Sequence, residues 1–235
     1  MSFFPHPVGL LGGAAPAELS FVGFTEITTD LADYTFASVN IGAADPTRRV
    51  VVAIHWADSA VTTTLENSVT IQGIAATIHV QADGGTSNCA IVSALVPTGT
   101  TADIVFGTVS NTPVDRAAIG VYRAINESVA TPHDTAVDLT ASSGVLSDTI
   151  NIPANGWVVG AANFSNAVSP TADTWVGVTE QYGHPTPGAP SDAAGQFRSG
   201  GFASGLPLEA NRTLSCTLTA GAPLPNGRLA GVSWG

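Results

Sequence analysis

The side chains able to do chemistry here are 18 carboxylates, five histidines and two cysteines in 235 residues. Their spacing decides what each could do. Glycoside-type hydrolysis needs two carboxylates set across a scissile bond. The close pairs Asp30/Asp33 and Asp134/Asp138 sit instead among turn residues, where Asp accepts local backbone hydrogen bonds. There is no H-E-x-x-H and no P-loop. No catalytic residue, cofactor-binding residue or metal ligand set is therefore assigned, and no cofactor is expected. His55 and His79 fall inside strand-like runs, which reads as packed imidazoles rather than ligands. Cys89 and Cys216 lie far apart in apolar segments without C-x-x-C spacing, which reads as two buried thiols. The most site-like cluster is Glu180, Tyr182, His184 and Asp192, in and beside a Gly/Pro-rich stretch, Gly183 to Asp192. It reads first as an exposed surface loop and second as a ligand site, because loops on rigid scaffolds carry function disproportionately.

The elements that must position these groups are strands. Runs of Val, Ile, Thr and Ala are broken every eight to twelve residues by Gly, Pro, Asn or Asp, the rhythm of an all-β sandwich. RRVVVAIHW, residues 48–56, is nearly continuous in β-branched and apolar residues, the mark of a strand covered on both faces. The spacing predicts a hairpin around Gly73-Ile74. It also predicts a pairing of Asn88–Val96 with Ala102–Val109 across Pro97-Thr98-Gly99-Thr100, and a tight hairpin turn at Asn155-Gly156. No window keeps helical periodicity between good caps, and no repeat of fixed period is visible. The expected architecture is a jelly-roll-like β-sandwich: an extended N-terminal arm over residues 1–19 and a single domain over 20–235. The arm MSFFPHPVGLL is apolar but lacks the basic start of a secretion signal.

Composition narrows the function classes. Charged residues make up 11% of the chain, all seven basic residues are arginine, and the net charge is −11. A soluble domain typically carries about 25% charged residues. Nucleic-acid binding is disfavoured because phosphate recognition rests on clustered cations, and anionic membrane surfaces are disfavoured for the same reason. No apolar run reaches the length of a membrane helix, so membrane insertion is not expected. A β surface coated with small neutral groups suits a building block that others cover. Trp56, Trp157, Trp175 and Trp234 could serve as sugar-stacking platforms if exposed, but each lies in or beside an apolar strand, where packing is the expected role.

Several segments resemble, in order, a group of small β-rich virion proteins of tailed bacteriophages, particularly those infecting alphaproteobacteria. They are Tyr34-Thr35-Phe36, Ile41 to Val52 (IGAADPTRRVVV), Ser68 to Thr77 (SVTIQGIAAT), Val96-Pro97-Thr98-Gly99-Thr100, Ile119-Gly120-Val121-Tyr122, Trp175 to Glu180 (WVGVTE) and Ser233-Trp234-Gly235. Ser68 to Thr77 also resembles an immunoglobulin-like transcription-factor-type module. The virion resemblance implies a structural role on the particle exterior, on head or tail, with no catalytic residues to carry over. Taken with the composition, it gives an expectation of a decoration, spike or tail-associated subunit, not an enzyme, assembled in the host cytoplasm. Its partners would be other virion proteins and copies of itself, as a trimer, with host surface glycans as a possible contact. Phe3, Phe4, Leu10 and Leu11 of the arm would dock on a neighbouring subunit. The alternative is a carbohydrate-binding β-sandwich module.

Overall fold

The computed structural model describes residues 17–57, 64–66, 68–108, 116–127, 129–139, 144–165, 172–186, 195–219 and 226–235. Among them every regular element is a strand. The first nine are β1 (Glu18–Ile27), β2 (Asp33–Asn40), β3 (Arg49–Ala57), β4 (Thr70–Ile71), β5 (Ile74–Ala75), β6 (Thr77–Ala82), β7 (Ser87–Leu95), β8 (Thr101–Gly107) and β9 (Ala117–Ile125). The remainder are β10 (Asp134–Asp138), β11 (Val145–Ile152), β12 (Gly156–Ser165), β13 (Ala172–Val176), β14 (Thr179–Thr186), β15 (Gln196–Leu206), β16 (Glu209–Thr219) and β17 (Asn226–Trp234). The all-β expectation holds. The expected arm residues Phe3, Phe4, Leu10 and Leu11 lie outside the described residues, and β1 already begins at Glu18.

The strands form four antiparallel sheets whose orders repeat. One five-stranded sheet runs β1-β9-β3-β7-β6, and a second runs β10-β17-β12-β15-β14. Matching β10 to β1, β12 to β3, β14 to β6, β15 to β7 and β17 to β9 superposes one order on the other. The two smaller sheets, β2-β8-β4-β5 and β11-β16-β13, correspond in the same way. The expected sandwich is thus present twice in one chain, and the repeat lies in topology rather than in sequence.

Four layers result, with three apolar cores between them. β3 shows why the layers hold. Val50, Val52, Ile54 and Trp56 point into the first sandwich, while Val51 and Ala53 point the opposite way, into a core shared with the second half. Strand alternation forces this division, and both faces are buried, as the apolar run predicts. β12 repeats the device: Val158, Ala162 and Phe164 enter the second sandwich, and Trp157, Val159 and Ala161 enter the shared core. That shared core is the seam. Trp157 and Trp234 stack there at 4.4 Å between ring centroids, and Leu19, Ile91, Tyr122 and Val232 fill around them. Each large apolar side chain so buried contributes about 1.5–3 kcal/mol.

Across the seam, β12 lies over β3 and β7, β17 over β7 and β6, and β10 over β6. Because β10 corresponds to β1 and β6 to β14, the two large sheets face each other with their equivalent strand orders reversed. An approximate two-fold along the strands generates that order, as in an isologous dimer.

Three sequence expectations need correction for one shared reason. β7 and β8 do not pair across Pro97–Thr100; they belong to different sheets, and that turn crosses the sandwich. The Pro153–Gly156 turn does the same between β11 and β12, closed by Gly156 N–H donating to Pro153 O at 2.9 Å. The hairpin near Gly73 is β4–β5 around Gln72-Gly73, both at positive φ, whereas β6 leaves for the other sheet. A turn residue fixes that the chain reverses, not which sheet receives it. Arg48 secures the corner that these crossings make. It is fully buried, and its guanidinium donates to Val96 O at 2.7 Å, Gly42 O at 2.7 Å and Thr98 O at 2.6 Å.

Candidate functional site

The polar groups of the large sheets gather where β14 and β15 meet β1, β3 and β13. β14 runs through Thr186, so Gly183 to Thr186 is strand rather than loop, and Asp192 lies outside the described residues. A bulge between Glu180 and Tyr182 in the β14–β15 ladder turns these two side chains to opposite faces. Glu180 is exposed and faces β13, while Tyr182 and His184 face β1.

Tyr182 is therefore not exposed, as the loop reading had it, but 8% accessible. Its ring stacks on Phe24 at 4.7 Å and on Phe21 at 5.7 Å. Its hydroxyl shares a 2.8 Å hydrogen bond with His55 Nε2. Gly120 and Gly200 leave the room: a Cβ at either would collide with the Tyr182 ring. Burial pushes the Tyr182 phenol well above its usual range. Burial, helped by the nearby Arg198 charge, pushes His55 down to about 3. Both groups are neutral at pH 7 and act as packed, hydrogen-bonded core. His184 stays half-exposed, with Nδ1 3.6 Å from Glu26 Oε2, the same oxygen that lies 3.4 Å from Arg198 Nη1.

On the opposite face, Asp173 is the hub. Its Oδ2 accepts from Trp175 Nε1 at 3.1 Å, from Ser199 Oγ in a short bond, and from Cys216 Sγ at 3.7 Å. Burial first, then the charge of and hydrogen bond to Asp173, raise Glu180 above the usual carboxylate range. Both carboxyls lie over Gly183, where an added Cβ would meet Asp173 Oδ1 and Glu180 Oε1. Ser199 Oγ is surrounded by Asp173, Trp175 Nε1 at 2.7 Å and Tyr182 O at 3.0 Å, with no imidazole bonded to it among the described residues. The cluster pins β13, β14, β15 and β16 together.

Gly231-Val232-Ser233-Trp234-Gly235 has the spacing of a hydrolase nucleophile turn. Yet Ser233 is fully buried within β17, and its Oγ donates to Asn151 O at 2.7 Å. It is a strand residue, not an elbow. Trp56, Trp157 and Trp234 are fully buried, and Trp175 is half-buried with its N–H engaged. A stacking platform for sugars needs exposed rings, and these rings are used in packing. Cys89 and Cys216 are free and buried, as expected, and burial raises both thiols. Among the described residues, no group of three or more His, Cys, Asp or Glu side chains could hold a metal ion. No helix among them is long and apolar enough to cross a membrane.

What the sequence could not reveal is the second half's polar reach across the seam. Asn163 Nδ2 donates to Trp56 O and Asn88 O, both at 3.0 Å, and Arg228 Nε donates to Asp83 O at 3.0 Å. Isolated Asn or Arg in apolar strands was the available signal. Comparison with protein-family models, with curated proteins and with solved structures found no match.

Proposed function

We propose that the chain is a structural subunit of a particle exterior, of the tailed-phage virion type its sequence resembles, built as two jelly rolls joined back to back. The observation that carries this reading is how the reactive side chains are used. Asp173, the candidate serines, the thiols and three of the four tryptophans are all engaged in holding strands together. The strand order β1-β9-β3-β7 facing β2-β8-β4-β5, repeated in the second half, suits the jelly-roll assignment, an architecture common in capsid subunits. Low charge and the uncharged outward row of the second half's small sheet favour a subunit covered by neighbours. Under this reading the N-terminal residues anchor the subunit to a copy of itself, in a trimer, or to another virion protein, while the opposite end meets the medium and host glycans.

Quantitative mass spectrometry of purified particles tests it. Multiple copies per particle are expected, and a chain lacking residues 2–17 should be lost from them. Absence from particles would overturn the role, and normal occupancy of the truncated chain would remove the anchor.

A further inference from the structure

The flank of the first sandwich between β1 and β2 differs from its counterpart in the second half. There β10 and β11 are laced by three aspartates. Val137 N–H donates to Asp148 Oδ2 at 2.8 Å, Ser147 N–H to Asp138 Oδ2 at 2.7 Å and Asn151 N–H to Asp134 Oδ2 at 2.7 Å. Charged side chains on an edge deter the addition of another strand. Between β1 and β2 lies instead a groove of about 240 Å³, with Gly23, Phe24 and Thr25 on one wall and Ala37 to Asn40 on the other. Among the described residues, no charged side chain lines it. Bulges between Phe21 and Gly23 and between Phe36 and Val39 fall at the groove, and bulges bend the strands that carry them. β1 ends its sheet among the described residues. Every residue from Phe21 to Ile27 is only half-buried, although Phe21 and Phe24 pack on the seam core and Val22 and Ile27 on the first sandwich.

The segment preceding β1 matches this groove. Residues 1–17 contain no Asp, Glu, Lys or Arg, in a chain of net charge −11, and they carry Phe3, Phe4, Val8, Leu10 and Leu11. Gly12-Gly13 is a favoured centre for a two-residue hairpin turn. With that turn, antiparallel pairing sets Phe4 opposite Phe21 and Phe3 opposite Val22, next to Gly23. Ala17 to Gly23 is about 20 Å of strand at about 3.3 Å per residue. The residues before Ala17 span up to about 55 Å when extended, so they reach the groove after turning. Pro5 and Pro7 are two apart, so their missing N–H groups fall on one edge, which suits a strand paired only on the other.

We infer that in the free subunit residues 2–11 add a strand to the free edge of β1 and bury Phe3 and Phe4 in the β1–β2 groove. Apolar side chains then close the first sandwich where aspartates close the second. Exchange of this strand onto a neighbouring copy is a low-cost route from the free subunit to the anchored one.

The test uses the full chain in dilute solution. Ser2→Cys is combined with Ala37→Cys, an exposed position on the groove wall, and treated with a short bismaleimide. Cys89 and Cys216 are buried and stay silent. Mixing 15N-labelled with unlabelled chains separates links within a chain from links between copies. Mass spectrometry should find residue 2 linked to residue 37 within one chain. Ser2→Cys with Thr213→Cys, exposed on the second half's small sheet, should not link. Gly23→Glu has open space for a side chain, so it keeps the fold while placing a charge in the groove. It should abolish the link and speed chymotrypsin cleavage after Phe4 and Leu11 about tenfold, because cleavage follows the open population. Links between copies would overturn the inference by giving the groove to a neighbour's segment. So would the lack of any link, or cleavage of the wild type as fast as of Gly23→Glu. These failures leave the particle-subunit reading standing, since copies per particle decide that reading.

Discussion

The two halves share a strand order but not the residues that face the seam. At the centre of the first half's large sheet sit His55 and its strand neighbours Cys89 and Ala118. The corresponding strands of the second half pair Asn163 with Arg198 and Arg228. The first half presents backbone carbonyls of Trp56, Asn88 and Asp83, together with the Glu26 carboxylate. The second half supplies the donors that reach them. One topology has thus been furnished in complementary ways. A buried acceptor is costly when left without a donor, so each half is completed by the other. The outer sheets differ too. Asp33 and Glu66 meet over Gly107 at one end of the first half's small sheet, and Asp103 lies further along β8, where it accepts from Ser38 N–H. The outward row of the second, Val145, Ser147, Thr149, Thr174, Val176, Thr213, Ser215 and Thr217, carries no charge.

The comparison breaks most visibly at the tryptophan stack. Trp234→Ala should cost about 3–5 kcal/mol in urea unfolding, as much as Phe106→Ala in the first half's own core. A loss below about 1 kcal/mol for Trp234→Ala alone would mean that the seam contributes little. Asn163→Ala should cost about 1–3 kcal/mol, since it strips the donor from two buried carbonyls.

Acidity probes the asymmetry at His55. Its pKa is near 3 when folded and near 6.5 when unfolded, so the unfolded chain binds the proton first. The stabilising contribution is complete above about pH 6.5 and is lost as pH falls toward 3, at up to about 1.4 kcal/mol per pH unit. His55→Asn, which keeps a polar side chain but cannot take up the proton, should flatten the difference between urea midpoints at pH 7 and pH 4. An unchanged slope would show that His55 is not the group responsible. The smallest effect belongs to the outer sheets: Thr217→Glu and Thr35→Glu should each shift stability by less than about 0.5 kcal/mol. A larger loss would place either side chain inside a contact within the chain.

Much of this fold was legible because alternation is local. The uninterrupted apolar run at 48–56 announced a strand covered on both faces, and β3 is one. The duplication was hidden because corresponding strands need share only which face they bury: Val50, Val52, Ile54 and Trp56 of β3 and Val158, Ala162 and Phe164 of β12 fill their cores with different side chains. The sheet crossings at Pro97–Thr100 and Pro153–Gly156 were hidden because a turn's chemistry is the same whether the next strand pairs beside or opposite. At the candidate site, Glu180, Tyr182 and His184 share strand β14 rather than an exposed loop. Their separation onto two faces depends on a bulge, and Gly183 gave the only local hint of it. The partners Asp173, Ser199 and Glu26 come from distant strands and carry no signature that spacing could expose.

Native-state hydrogen exchange at low denaturant tests the welding of the two halves most directly. The amides of β3 and β12 should exchange through one common opening, with the same free energy and the same denaturant dependence. If β12 opened at a clearly lower free energy while β3 stayed protected, the halves would be independent sandwiches in contact, and a single unit joined at the seam would be contradicted.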